Sequence, residues 1–273
     1  MNDYKISNYC LIINQEGMNK MKKVIAIIGS ERKKTTYQAI LEFEKKLKLY
    51  GDIDFEYAFL NDYNLEFCHG CKLCFDKGEQ FCPIRDDRDV LLHKLELTDG
   101  VILATPSYAF QVSARMKNFL DRIAFIFHRP RFFGKTFTTV VTQGITGGGK
   151  ITKYLESSGA NMGFHVTRGC CVNTLEPMTE LQNNKMKLEM EKCAERFYKG
   201  LMLGSPQVPS FSRLMMFRMS RSGIKSAKVK LFDYDYYMDK GWFESDYYYD
   251  TKLGPFKKLL GRFFDYIGRQ LFK

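Results

Sequence analysis

The feature that most constrains this chain is a regular alternation of short, β-branched apolar runs with longer stretches of helical spacing. Val24 to Ile28 is wholly apolar and stops at Gly29-Ser30, the profile of a strand buried on both faces. Residues 36–49 then place Ile40, Phe43, Leu47 and Tyr50 on one side and Glu42, Lys45, Lys46 and Lys48 largely on the other, and Gly51 stands where a C-cap glycine belongs. Ile53 to Leu60 alternates as a second strand. Val101 to Ala104 is a third, Thr136 to Thr142 a fourth, and a fifth is expected at about 163–172. Helices are expected from Asp86-Asp87, over roughly 112–127, and from Thr179 to about Met202. This alternation dictates an α/β fold, a doubly wound parallel sheet with helices on both faces. Right-handed crossovers then carry every loop that follows a strand to one edge, where such folds bind ligands.

Three of those loops have unusual composition. In the first, Gly29 allows a tight turn, and Ser30, Thr35 and Thr36 stand with Arg32 and Lys33 before a helix N-terminus, a set suited to a phosphate. It matches neither the Walker A loop nor the GxGxxG fingerprint, and a plain turn with a solvated basic edge is the alternative. In the second, Pro106 stiffens the chain and Ser107, Tyr108, Ala109 and Phe110 follow, with two rings that either flank a flat heterocycle or pack on a helix. The third, with Gln143, Gly144, Gly147 and Gly148, lets backbone approach a ligand closely or forms a flexible surface loop. Together they fit a flavodoxin-like five-stranded sheet of order 2-1-3-4-5, in which FMN sits at the switch point.

Between the second and third strands lie Cys68, Cys71, Cys74 and Cys82. Thiolates bind soft metals, and Cys-x2-Cys-x2-Cys is a ferredoxin-type spacing, which points to a [4Fe–4S] cluster. Structural zinc more usually shows two separated Cys-x2-Cys pairs, and a loop of reduced thiols is a third reading. His69 is expected to form a hydrogen bond or lie at the surface rather than ligate. Cys170 and Cys171 look like small core residues at the end of the fifth strand.

Lys and Arg exceed Asp and Glu by a net charge of +11, but they are spread along the chain without a nucleic-acid-binding motif, so nucleic acid is not the expected partner. No apolar run is long enough to span a bilayer and no signal-peptide pattern opens the chain, so the expected compartment is the cytoplasm, where clustered cysteines mean metal or redox chemistry. Residues 1–20 lack a clear period and read as a leader, poorly ordered or added by an upstream start codon, because Met21-Lys22-Lys23 before Val24 looks like a natural start. The flavin-binding domain is expected over 21–204, and 205–273 reads as a basic, aromatic-rich extension. Its last segment, 256–273, puts Phe256, Leu259, Leu260, Phe263, Phe264, Ile267 and Leu271 on one helical face. Such a stripe is expected to dock on its own fold or on a dimer partner, with a membrane surface as the less favoured alternative. The stretch around Trp242 is expected to pack rather than to cover the flavin.

GSERKKTTY at 29–37, CHGCKLC and CPIRDD within 68–87, DGVILATPSY at 99–108, RMKNFLDR at 115–122 and TQGITGGG together resemble the flavodoxin-like NAD(P)H-dependent flavin reductases, close to the iron–sulfur flavoproteins of anaerobes. The resemblance covers roughly residues 22–200. The first loop departs from the GSPRKNSNT pattern of these proteins by one residue and by Glu31 in place of proline, which leaves Ser30, Arg32 and Thr36 as the better phosphate contacts. The resemblance implies FMN, NAD(P)H as substrate, a homodimer or higher oligomer, a [4Fe–4S] cluster or a thiol loop capping the flavin pocket, and an electron acceptor that is a small molecule or a redox protein. Lys117, Asp121 and Arg122 match a family motif, with surface ion pairing as their alternative role. No catalytic side chain is expected, because the flavin carries the chemistry. An electron carrier that never meets nicotinamide is the alternative function.

Overall fold

Residues Lys22–Ile28 pair in parallel with Ile53–Phe59 on one side and Gly100–Pro106 on the other, and the rest of the sheet grows outward from this centre. A computed structural model describes residues 21–204, 206–229 and 231–271. The expected leader over 1–20 lies outside the described residues. In chain order the elements are β1 (Lys22–Ile28), α1 (Thr35–Leu47), β2 (Ile53–Phe59), α2 (Leu73–Asp76), α3 (Arg88–Leu97), β3 (Gly100–Pro106), α4 (Ala114–Arg122), β4 (Thr136–Gln143), α5 (Gly148–Asn161), β5 (His165–Val166), β6 (Cys170–Asn173), α6 (Glu180–Leu201), α7 (Phe211–Ser226), α8 (Phe232–Asp239) and α9 (Pro255–Leu271). The sheet runs β2-β1-β3-β4-β5, with every pair parallel, as the sequence led us to expect.

Alternation along the buried strands divides the core in two. Val24, Ala26 and Ile28 of β1 face one side, where Ile40 and Phe43 of α1 and Met190, Ala194 and Phe197 of α6 cover them. Ile25 and Ile27 face the other, beneath Leu91 and Leu95 of α3, Met116 and Phe119 of α4, and Ile151 and Leu155 of α5. Helix α6 starts with a capping box in which Thr179 and Gln182 satisfy each other's backbone N–H, so its N-terminus falls where the sequence put it.

Several expectations need correction. The fifth strand is split into β5 and β6, both paired with β4, because Gly169 lies tight against the Thr139 carbonyl and its N–H leaves the ladder for Glu156 Oε1 at 2.7 Å. Cys170 and Cys171 therefore open β6 rather than end a strand, and Cys170 is buried. The helix expected over 112–127 stops at Arg122, followed by a 3-10 turn over Ala124–Phe127. Asp86 and Asp87 do not sit in the first turn of α3. They precede it and accept N–H groups of Glu66 and Asn64 across the cysteine loop.

After α6 the chain builds a small core of its own from Leu214, Phe217, Tyr237, Trp242, Tyr247 and Leu253. The aromatic stretch packs here, and Trp242 Nε1 donates to the Tyr248 carbonyl at 3.0 Å. Helices α7 and α9 lie side by side. The fully buried residues of α9 are Gly261, Asp265 and Gly268, and a Cβ on Gly268 would meet the Met219 carbonyl oxygen at 2.6 Å. Asp265 accepts from Arg218 at 3.0 Å, from Arg221 at 2.6 Å and from Ser222 at 2.8 Å, all buried. The stripe expected to dock is split: Leu260, Phe264 and Ile267 are half-buried, whereas Phe256, Leu259, Phe263 and Leu271, with Tyr266 beside them, are exposed. None of the helices among the described residues is long and apolar enough to cross a membrane.

Removing Asp265 would leave two guanidinium groups buried without their shared carboxylate. Asp265→Ala should cost about 3–5 kcal/mol of stability, read by urea unfolding followed through Trp242 fluorescence.

Candidate functional site: a sheet edge and an adjoining cysteine cavity

All three unusual loops emerge at the carboxyl ends of the parallel strands, and short contacts tie them to one another. Ser113 Oγ donates to the Gly29 carbonyl at 2.7 Å and accepts the Met116 N–H, so it joins the loop after β1 to the N-terminus of α4. Thr36 Oγ1 lies 2.7 Å from Thr142 Oγ1, a buried pair that pins the first turn of α1 to the end of β4. A Cβ on Gly147, whose φ is +96°, would meet Cδ1 of Phe110 at 2.7 Å, so the third loop lies directly against the ring of the second. Only glycine allows both that approach and that backbone conformation.

The start of α1 is shaped for an anion. Its N-cap, Lys34, provides no side-chain cap, and the first turn holds no acidic residue, which leaves N–H groups and the positive end of the helix dipole facing the loop. Arg32 is exposed beside it, and Thr35 is half-buried. Other members of the sequence-derived set are engaged within the fold. Ser30 Oγ donates to the Arg32 carbonyl at 3.1 Å, and the Lys33 ammonium sits 4.8 Å from the centre of the Phe59 ring. Gln143 accepts the Gly148 N–H at 2.6 Å and donates to Asn173 Oδ1 at 2.6 Å, which fixes the entry into α5. Gly148 is closely packed against Cys171, whereas Gly144 lies open near Leu175.

The second loop carries the strongest backbone anomaly at this edge. Pro106 ends β3, Ser107 N–H donates to the Thr142 carbonyl at 2.7 Å, and Tyr108 and Gln111 exchange backbone hydrogen bonds at 3.0 and 2.9 Å. Between them, Ala109 and Phe110 turn the chain with φ of 49° and 61°. Two consecutive left-handed residues make a tight hairpin turn that ordinarily takes Asn-Gly or Gly-Gly. Strain of this kind, held in place by its surroundings, is characteristic of ligand-binding sites. It presents Phe110 to solvent, 68% exposed, beside the exposed Tyr108 and Ile145. An apolar shelf at a polar edge is the complement of a planar, largely apolar ligand.

The cysteine loop runs alongside. Cys68, Cys71, Cys74 and Cys82 line a single cavity of ≈340 Å3, together with His69, Asp121 and Arg122. Cys68 and Cys71 are exposed, Cys74 is half-buried and Cys82 is buried. Burial pushes the Cys74 thiol up, against the nearby positive charge of Arg129. At Cys82 burial acts upward too, but the Arg122 hydrogen bond, a backbone bond at Ile84 and the charges of Arg122 and Arg88 outweigh it and hold this thiol below its ordinary value. Among the described residues, no three His, Cys, Asp or Glu side chains are grouped so as to hold a single metal ion.

Arg122, Arg129 and Arg131 help to fix this loop, and the last two carry no reading from the sequence. Arg122, read from its motif as a surface or ligand residue, is buried. It donates to Cys82 Sγ at 3.3 Å and to Asp86 Oδ1 at 2.6 Å, and its buried Nε has no hydrogen-bond partner among the described residues. Lys117 and Asp121 do form the expected exposed pair. Arg129, fully buried, donates to the Cys74 carbonyl at 2.7 Å and to Glu79 at 3.0 Å, and pairs with Asp233 of α8. Arg131 adds a second bond to Glu79 at 2.7 Å. The run HRPR at 128–131 carries that signal in sequence, as charge placed beside Pro130 between two apolar segments.

Residues 22–175, more than half the chain, match the family described as NADPH-dependent FMN reductase. The chain belongs to that family. Among characterised relatives of this FMN reductase family, an iron-sulfur flavoprotein of Archaeoglobus fulgidus is 36% identical over 119 residues, which is 44% of this chain and 53% of that protein. One from Methanocaldococcus jannaschii is 37% identical over 100 residues, 37% of this chain and 51% of that protein. The chain thus spans about half the length of these curated relatives. Among solved structures, RosB with a bound 8-demethyl-8-formylriboflavin-5'-phosphate intermediate superposes with a TM-score of 0.52 at 10% identity, over 86% of this chain and 92% of that one. An NAD(P)H:quinone oxidoreductase of Methanothermobacter marburgensis gives 0.51 at 12% identity, over 64% and 98%. At such identities these two show a shared fold.

Two outcomes follow from the geometry of the site. Ala109→Gly removes a left-handed alanine and should stabilise the ligand-free protein by about 1 kcal/mol in urea unfolding, with no loss of contacts. For Glu79, burial acts upward, but the hydrogen bond from Arg131, a bond to its own backbone and the charges of Arg131 and Arg129 hold the carboxyl below its ordinary value. Its contribution is therefore complete above that value and is lost as pH falls through the lowered one. Glu79→Gln should be less stable than wild type at neutral pH, and the gap should narrow in acid when unfolding is measured across that range.

Proposed function

We propose that the protein is an FMN-dependent oxidoreductase that takes reducing equivalents from NADH or NADPH and delivers them to an acceptor, with a [4Fe–4S] cluster on Cys68, Cys71, Cys74 and Cys82 as a second redox centre. The observation that carries the flavin reading is the convergence of an uncapped helix N-terminus, a strained aromatic hairpin and a glycine loop at one sheet edge. Bound FMN would supply hydride acceptance from a nicotinamide and onward release of electrons. The chain's own part is to bind and orient. The N–H groups of the first turn of α1, with Arg32, would hold the phosphate. Tyr108 and Phe110 would flank the ring system, and Gly147 would keep backbone close to it. No side chain at this edge is required as acid or base.

Support for the cluster comes from the chemistry of the donor set. Four thiols line one cavity, and their Cys-x2-Cys-x2-Cys spacing suits a cluster better than the two separated pairs usual for zinc. Arg122 and its unpartnered Nε would face the negatively charged sulfur of such a group, where hydrogen bonds tune potential. The acceptor would be a small molecule or a redox protein, and assembly as a homodimer is part of the same proposal.

Anaerobic purification with absorbance, flavin and iron analysis tests this reading. Bound or bindable FMN is expected, with roughly four iron atoms per chain and NAD(P)H oxidation. Cys71→Ser should lose iron and keep the flavin. A protein that cannot bind FMN sinks the proposal. Flavin without iron after reconstitution leaves the cysteines as a thiol loop, and flavin without NAD(P)H oxidation makes the protein an electron carrier.

A further inference from the structure

Helix α9 leaves one side of its apolar stripe in water, although Leu260, Phe264 and Ile267 on the other side are half-buried. An amphipathic helix at a protein surface ordinarily turns its apolar stripe inward and its polar residues to water. Here the buried residues are Gly261, Asp265 and Gly268, held against α7 by close backbone approach and by the ion pairs to Arg218 and Arg221. Phe256, Leu259, Phe263, Tyr266 and Leu271 are each between 56% and 66% exposed. Phe211 at the start of α7, also exposed, meets Phe256 edge-on at 5.8 Å and extends the apolar surface beyond α9.

Charge on the helix is equally one-sided. Its acid, Asp265, is buried in the arginine network, so the exposed charges of α9 are Lys258, Arg262 and Arg269. At 3.6 residues per turn these three fall along one border of the apolar arc, next to Leu259 and Tyr266. Lys257 lies beyond the opposite border and donates to the Pro209 carbonyl at 2.7 Å. We propose that this face docks on an anionic lipid surface, with its aromatic and aliphatic side chains among the acyl chains and Lys258, Arg262 and Arg269 at the level of the headgroups. A second copy of the chain fits the charges less well. A two-fold contact through this face would bring both basic borders to one interface, and α9 offers no exposed carboxylate to pair with them. The proposal is independent of the flavin and cluster reading.

Co-sedimentation of the full chain with vesicles tests it. Wild type should pellet with phosphatidylcholine vesicles containing phosphatidylglycerol, and should remain in solution with phosphatidylcholine alone. Leu259→Asp/Phe263→Asp and, separately, Arg262→Glu/Arg269→Glu should each weaken that partitioning about tenfold or more. Both pairs are exposed, and unchanged circular dichroism and melting of the charge-reversal variant guard against misfolding as the cause. Wild type that stays in solution with the anionic vesicles overturns the proposal, as does either variant that pellets as wild type does. Sedimentation velocity showing a dimer that Leu259→Asp/Phe263→Asp splits, without vesicle binding by wild type, assigns the face to a second copy instead. Vesicle binding that appears only after deletion of residues 1–20 assigns it to that segment.

Discussion

Parallel pairing of β1 with both β2 and β3 is the constraint from which the rest of the architecture follows. A parallel strand cannot return through a short turn, so each connection must cross a face of the sheet as a helix, and each begins at the same edge. The phosphate-shaped start of α1, the hairpin after β3 and the glycine loop after β4 meet because the strand order leaves them nowhere else to go. What turns this edge into a site is local: a pair of threonine hydroxyls, a serine capping α4, and one glycine lying against a phenylalanine ring.

Most of the flavodoxin-like core was legible in the sequence, because buried strands and amphipathic helices write their periods directly into the chain. The span of α6 and the convergence of three loops needed only apolar runs, a cap and the handedness of crossovers, and the strand order came from the fit of those loops to a flavodoxin-like sheet. What the pattern could not show depends on contacts between distant residues. The break between β5 and β6 arises from one glycine's fit against a neighbouring strand and a side chain from α5. At the site, Ser30, Lys33, Gln143 and Gly148 have the right residue types for a cradle, yet each also has an intramolecular partner invisible in sequence. How α9 divides its stripe between the fold and solvent was not legible for a related reason. Amphipathic spacing reports that a helix has two faces, and it was the spacing of Gly261, Asp265 and Gly268 that decided which one turned inward.

The cysteine loop shows how much polar chemistry is needed to hold irregular backbone against a hydrophobic layer. A loop of this length carries many amide groups that water or a partner must satisfy. Asp86 and Asp87 accept the N–H groups of Glu66 and Asn64 in its incoming segment, Asn118 donates to the carbonyl of Leu65, and Arg88 and Arg129 reach the carbonyls of Glu79 and Cys74. The loop is therefore braced from α3, α4 and the segment after it, independently of what its thiols bind.

Arg129 gives that bracing a wider reach. One buried guanidinium touches the backbone at Cys74 and, at its other end, a carboxylate on α8, more than a hundred residues further along the chain. A buried ion pair thus crosses the change of composition after residue 204. A chain ended there would keep every strand of the sheet and still lose one of the two carboxylates that Arg129 pairs with, leaving Glu79 alone. Whatever alters the packing of α8, whether a neighbour, a surface or a substitution among its tyrosines, acts on the frame of the cysteine cavity through Arg129 and through His128, which also meets Asp233.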